Sequence, residues 1–191
     1  MAAEGVGNNM TIPQHLSITN EHYTPEHVVE AARRTLGGFD LDPASCEVAN
    51  QRIQAARFIG QPDDGLEHQW AGRVFLNPPG GRIPKQWKVR YGTQSNATAW
   101  WRKLTEEYQA GRVTAAIFVG FTLELLRSAQ TGKPAWSPSM PWLHPFDFSI
   151  CVPSERLCFG GDQPTHANVI VYLGSEVDAF REAFSEIGRV K

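Results

Sequence analysis

Short apolar runs rich in β-branched and aromatic residues alternate along this chain with stretches whose apolar residues recur at helical spacing, and that alternation admits few architectures. Thr24-Pro25 supplies an N-cap and a first-turn proline for a helix in which Val28, Val29, Ala32 and Leu36 share a face, and Gly37-Gly38 stops it. A short strand over Phe39 to Asp42 ends at Pro43. Ser45 then caps an expected helix from about Glu47 to Arg57 carrying Val48, Ile53 and Ala56, and a polar loop with Asp63-Asp64-Gly65 leads to the strand Val74 to Leu76. A second round follows: a helix from about Thr98 to Ala110 closed by Gly111, the strand Thr114 to Val119, and a helix over Leu123 to Ala129 capped by Thr122. Beyond a proline-punctuated loop at 137–145, Phe146 to Val152, Leu157 to Phe159 and Asn168 to Leu173 read as strands. Val177 to Ile187 reads as a closing helix with Phe180 and Phe184 inward. Strands alternating with helices, then a late cluster of strands, predict an α/β protein with a doubly wound, mainly parallel sheet and an antiparallel edge strand.

With 191 residues, 41% of them apolar, the chain fits one domain over 19–191 behind a loose segment at 1–18. Its longest apolar stretches, such as Ala115 to Val119, fall far short of the ~20 residues a bilayer demands. Met1 to Asn9 lacks the basic and apolar regions of a signal peptide, so neither membrane nor export is expected. Cys46, Cys151 and Cys158 are too few and too widely spaced for a zinc knuckle, and their odd number argues against a disulfide framework. They read as reduced thiols in a cytosol. His15, His22, His27, His68, His144 and His166 show no ligand spacing, so no metal is expected.

The punctuation of the strands carries the chemistry. Val74-Phe75-Leu76 runs directly into Asn77-Pro78-Pro79-Gly80. Each proline fixes its own φ near −65°, lacks an N–H, and drives the residue before it into an extended conformation. Asn77 and Pro78 therefore form a rigid corner rich in acceptors: the Asn77 side-chain oxygen and the Pro78 carbonyl can together receive both hydrogens of one exocyclic amine. The same dipeptides also form ordinary turns. In open α/β sheets, ligands bind beyond the carboxyl ends of the strands. Asp40-Leu41-Asp42-Pro43-Ala44-Ser45 ends one strand and Asn77-Pro78-Pro79 another, so parallel neighbours would bring both tips to one crevice. The acidic tip suits amino or hydroxyl groups of a small cofactor; simple capping by Asp40 and Asp42 is the alternative.

Charge is uneven. Residues 73–112 carry eight cations against two anions, while 1–72 carry four against ten. Arg82, Lys85, Lys88, Arg90, Arg102 and Lys103 are interleaved with Trp87, Tyr91, Trp100 and Trp101, the mixture that joins phosphate attraction to faces on which bases stack. The stretch at about 80–97 reads as a basic insertion in contact with nucleic acid, against the alternative of a solvated loop before a helix whose tryptophans are core.

Taken together, Tyr23-Thr24-Pro25, Phe39 to Ser45 with Ala49-Asn50, Asp64-Gly65-Leu66 with Trp70, and Phe75-Leu76-Asn77-Pro78-Pro79 resemble the phage-type Dam family of adenine-specific DNA methyltransferases, in order and over most of the chain. The resemblance implies a Rossmann-like methyltransferase fold, S-adenosylmethionine as donor, the exocyclic amine of adenine in DNA as acceptor, and residence in the cytoplasm of a phage-infected or prophage-carrying bacterium. It implies that Tyr23, Thr24 and Pro25 flank the methionine part of the donor and that Asp42, Pro43 and Ala44 form its first loop, with Asp40 and Ser45 beside it. Asp64, Gly65 and Leu66 would then lie near the adenosine, and Asn77, Pro78 and Pro79 would be catalytic. Arg82, Lys85, Trp87, Lys88, Arg90 and Trp100 are the expected DNA contacts. Two departures stand out. Gly80 replaces the aromatic that usually follows the prolines, which shifts base stacking to Trp87 or Trp100 or removes it. The cofactor loop is the short Asp-Pro-Ala-Ser form rather than a glycine-rich one. An impaired donor- or nucleic-acid-binding module, a structural domain, and methylation of a protein glutamine amide are the rival functions.

Overall fold

A computed structural model of the protein describes residues 23–60, 62–120, 124–130, 140–160 and 167–191. The expectations for 1–18, for Thr122 and for the start of the 137–145 loop lie outside them.

Helix α1 (Glu26–Leu36) turns one face of small and branched side chains, Val28, Val29, Ala32 and Leu36, into the interior. Pro25, not Thr24, occupies its N-cap position, in an extended conformation without a side-chain cap bond; Gly37 ends the helix at φ +70° with its N–H on the Arg33 carbonyl. Strand β1 is confined to Leu41–Asp42. Helix α2 (Glu47–Ile53) is capped by Cys46, whose Sγ accepts from the Ala49 N–H at 3.4 Å, in place of the expected Ser45. It stops earlier than expected because the Asn50 side chain binds both backbone groups of Ala55 and Gln54 turns left-handed at φ +55°. Val48 and Ala56 are exposed rather than core, and of the three apolar residues expected inward only Ile53 is buried. The released chain forms a strand not anticipated, β2 (Arg57–Phe58).

Strand β3 (Gly72–Leu76) leads into helices α3 (Lys85–Tyr91) and α4 (Asn96–Gln109), then β4 (Val113–Gly120) and α5 (Glu124–Ser128). Strand β5 (Ser149–Pro153), β6 (Val169–Leu173), helix α6 (Val177–Ser185) and β7 (Gly188–Val190) complete the chain. Leu157 to Phe159 is not a strand: Leu157 and Phe159 are both buried in the α1/α6 core without joining a ladder.

The result is an α/β protein with a mixed seven-stranded sheet in the order β2-β1-β3-β4-β6-β5-β7. The pairs β1/β2, β1/β3 and β3/β4 are parallel, and β4/β6, β5/β6 and β5/β7 are antiparallel. Antiparallel pairing is therefore not confined to an edge strand as expected, because β6 runs against both of its neighbours inside the sheet. Side chains alternate strictly between faces. Val74 and Leu76, Ala116 and Phe118, and Val169 and Val171 join Trp101, Leu104 and Tyr91 in one core. Phe75, Ile117, Val119, Ile170 and Tyr172 join Val28, Ala32, Phe180 and Phe184 in the other. Both faces are covered, which explains why β6 is apolar at every position. Among the described residues, no helix is long and apolar enough to cross a membrane.

Candidate functional site

Strand β1 is the point where the winding reverses: α2 packs with α1 on one face, while α4, reached from β3, packs on the other. A crevice opens beyond the carboxyl ends of two strands where their connections diverge in this way. Leu41 pairs with Val74, so β1 and β3 are parallel neighbours and Asp42 and Asn77 emerge at the same end of the sheet. Both line one cleft of about 1800 Å3.

The β1 tip is rigidly held. The Ser45 N–H donates to the Ile59 carbonyl at 3.0 Å and the Ile59 N–H to the Asp42 carbonyl at 2.9 Å, tying the turn to the end of β2. Asp42 is 3% exposed and accepts from the Ala44 N–H at 3.2 Å. Burial pushes its carboxyl up to about 7, against the opposing pull of the Ala44 N–H and the Ser45 hydroxyl. Pro43, Ala44 and Ser45 line the same cleft. Tyr23 and Thr24 close one end of it; the Thr24 carbonyl accepts from Arg52 at 3.1 Å, and Arg52 pairs with Glu26 at 3.0 Å, strapping the entry of α1 to α2. Pro25 faces instead a separate hollow with His27 and Cys158.

Asp40 is placed elsewhere. Its oxygens accept from the Arg73 N–H at 2.7 Å, Nε at 3.0 Å and Nη2 at 2.8 Å, and the Arg73 guanidinium holds its carboxyl below the usual range. It is not among the cleft-lining residues, so the capping alternative, in the form of an ion pair that pins β1 to β3, describes it.

The wall opposite is built from Asp64, Gly65 and Leu66. Asp64 Oδ1 accepts from the Leu66 N–H at 3.1 Å, and Oδ2 accepts from the Trp87 indole N–H at 2.6 Å. Gly65 is wedged so tightly that a Cβ there would lie 2.6 Å from the Trp100 ring and closer still to the Pro43 carbonyl oxygen. Its own carbonyl accepts from the Trp70 indole at 2.8 Å, and Trp70 stacks on Trp100 at 5.6 Å. Trp100 lines the cleft yet is 5% exposed, pressed against this wall.

Asn77 is half-buried, Pro78 buried and Pro79 exposed, all three on the cleft. The turn after them is held by a residue that sequence reasoning missed. Asn96 Nδ2 donates to the Gly80 carbonyl at 2.8 Å and to the Arg82 carbonyl at 3.3 Å, while the Asn96 N–H donates to the Gly81 carbonyl at 3.1 Å. The Ser95 cap of α4 immediately before it was the available signal. A Cβ at Gly80 would meet no atom of the described residues within 4 Å, so none of them takes the place of the missing aromatic there.

The basic segment divides. Arg90 pairs with Glu106 at 2.9 Å, Lys103 with Glu107 at 2.6 Å, and Arg102 lies 3.7 Å over the Trp142 ring and donates to the Tyr91 carbonyl. Arg82, Lys85 and Lys88 have no ion-pair partner among the described residues, and Arg82 and Lys85 are exposed. Trp87 is half-buried against Tyr91 at 5.9 Å, with its N–H committed to Asp64. The segment is thus a helix, α3, rather than a loop.

The cleft lining is acidic: Glu26, Glu30, Asp42, Glu47, Asp63 and Asp64 against Arg33 and Arg52, and those two arginines pair with Glu30 and Glu26. Such a lining suits a cationic ligand and opposes a phosphorylated one. Among the described residues, no group of three His, Cys, Asp or Glu could hold a metal ion. No protein-family model and no curated protein matches the chain.

Proposed function

We propose that the chain is an S-adenosylmethionine-dependent methyltransferase acting on the exocyclic amine of adenine in DNA, with a Rossmann-like methyltransferase fold. The observation that carries it is the meeting of Asp42 and Asn77, from adjacent parallel strand tips, in one acid-lined cleft. The donor carries a sulfonium and an ammonium, and the acidic lining fits that charge. Asp42, Ser45 and Asp64 would hold it, with Tyr23 and Thr24 at the methionine end and Gly65, Leu66 and Trp100 beside the adenosine. When bound, it supplies an electrophilic methyl group.

The protein's own residues act on the amine. The lone pair of an aromatic amine is delocalised into the ring, which makes it a poor nucleophile. Acceptance of its two hydrogens by the Asn77 side-chain oxygen and the Pro78 carbonyl favours a more pyramidal nitrogen and stabilises positive charge arriving there. The prolines keep both acceptors in place without reorganisation, and holding the reacting atoms in line contributes roughly 7–11 kcal/mol. The target atom is unreachable inside a duplex, so the base is flipped at a cost of about a few kcal/mol, offset by phosphate contacts from Arg82, Lys85 and Lys88.

Incubation with labelled donor and adenine-containing DNA, followed by digestion to nucleosides, should yield N6-methyl-2'-deoxyadenosine from the wild type and none from Asn77→Ala. Gly80, with no described residue within 4 Å of the position a Cβ would take, favours one second reading, a donor- and DNA-binding module that does not turn over. Binding of both ligands with no labelled product would establish it.

A further inference from the structure

The acidic wall of the cleft and the cationic helix beside it are joined by one short side-chain bond, from the Trp87 indole N–H to Asp64 Oδ2 at 2.6 Å. Each end of this bond is fixed in its own unit. On the helix side, Trp87 lies in the middle of α3, half-buried against Tyr91, and α3 presents Lys85 and Lys88 on either side of it in sequence. The helix is also fastened to the catalytic corner: the Ile83 N–H donates to the Gln94 carbonyl at 3.0 Å, Arg82 bridges to Ser95, and Asn96 holds Gly80 and Arg82. On the wall side, Asp64 holds the Leu66 N–H, and the Gly65 between them has no spare room against Pro43 and Trp100. The bond to Trp87 and the close packing of Gly65 thus form one continuous chain of contacts from α3 through Asp64 to Pro43 beside Asp42.

We infer that Trp87 is a positioning residue that couples occupancy of α3 by a polynucleotide to occupancy of the acidic wall by the donor. The inference rests on the methyltransferase reading and adds to it a linkage between the two ligands. It also changes the role of Trp87, which serves through its N–H rather than as a free face for base stacking. Coupling between two sites is reciprocal: DNA on Lys85 and Lys88 changes donor affinity by the same factor by which donor changes DNA affinity, typically about 5- to 150-fold. Trp87→Phe keeps an aromatic ring against Tyr91 and removes the donor to Asp64 together with part of the indole's packing area. Asp64→Leu removes the acceptor while keeping a similar shape.

Calorimetric titration of S-adenosylhomocysteine into the protein, with and without a saturating adenine-containing duplex, gives the ratio of the two Kd values as its readout. A loss of packing alone would change both Kd values and leave their ratio unmoved. The wild type should show a ratio of about 5 or more, and the reverse titration of duplex with and without S-adenosylhomocysteine should return the same factor. In Trp87→Phe the ratio should fall to near 1, and in Asp64→Leu it should fall in the same direction. Binding of both ligands with the wild-type ratio preserved in Trp87→Phe overturns the inference and leaves the methyltransferase reading standing. Absence of any binding by the wild type overturns both. Should Trp87→Phe fail to fold, an unchanged ratio in Asp64→Leu, which has a similar shape and no acceptor for the Trp87 N–H, overturns the inference by itself.

Discussion

The buried carboxyl of Asp42 makes a quantitative demand on stability. In the unfolded chain it titrates near 3.8, while burial in the folded protein moves it to about 7. Between these values the native state holds a proton that the unfolded state has released, so stability falls as pH rises through this window and is level on either side. The slope is about 1.4 kcal/mol per pH unit. The accumulated penalty above pH 7 is on the order of 4 kcal/mol, carried by a side chain only 3% exposed. Asp42→Asn removes the titration and retains an oxygen acceptor for the Ala44 N–H. Urea unfolding of the two proteins, followed by circular dichroism at several pH values, should give similar stabilities near pH 4. The variant should gain steadily from there and level off above about pH 7. Taking the difference between the two proteins cancels the groups they share, including the opposite contribution of Asp40. A difference that stays constant from pH 4 to 8 would refute the reasoning. The same ionisation bears on function, since a charged Asp42 is the better partner for a cationic ligand. Binding of S-adenosylmethionine should tighten as pH approaches 7 in the wild type and stay level in Asp42→Asn.

Three further outcomes follow. Gly65→Ala forces a methyl into the Pro43 carbonyl and the Trp100 ring; it should lower unfolding free energy by roughly 1–3 kcal/mol and weaken S-adenosylhomocysteine binding by calorimetry. If Lys85 and Lys88 meet phosphates, replacing either by Ala should make the slope of log Kd against log salt shallower by about 0.9 in a fluorescence-anisotropy titration of duplex. With a thiol reagent and peptide mapping, exposed Cys158 should label first, and Cys151, buried with its thiol pushed up to about 12, should label only on unfolding.

Legibility in the sequence followed the range of the interactions involved. The corner at Asn77-Pro78-Pro79 and the stop at Gly37 were visible because proline and glycine act on their own backbone. The continuous apolar runs of β4 and β6 likewise announced strands, and their lack of alternation reflects burial on both faces. Strand β2 was hidden because two exposed residues, Arg57 and Phe58, carry no pattern, and its start depends on Asn50 ending α2. The spacing of Trp87 and Tyr91, one helical turn apart after Pro84, signalled α3, but the density of charge there obscured it. Sequence alone could not separate Asp40 from Asp42. The difference is made by Arg73, 33 residues away, which takes one carboxylate and leaves the other to the cleft. In the same way Glu106 and Glu107, on the helix after the basic run, consume cations that composition had assigned to a nucleic-acid surface. The Trp87–Asp64 bond spans 23 residues and had no local trace at all.

The reversal of winding at β1 has a mechanical result. One bank of the cleft, carrying Tyr23 and α2, is rooted beneath the sheet with Val28 and Phe184; the other, carrying Trp100, is rooted above it with Trp70 and Leu104. The cleft is thus a seam between two packed interiors, each bank resting on its own side of the sheet.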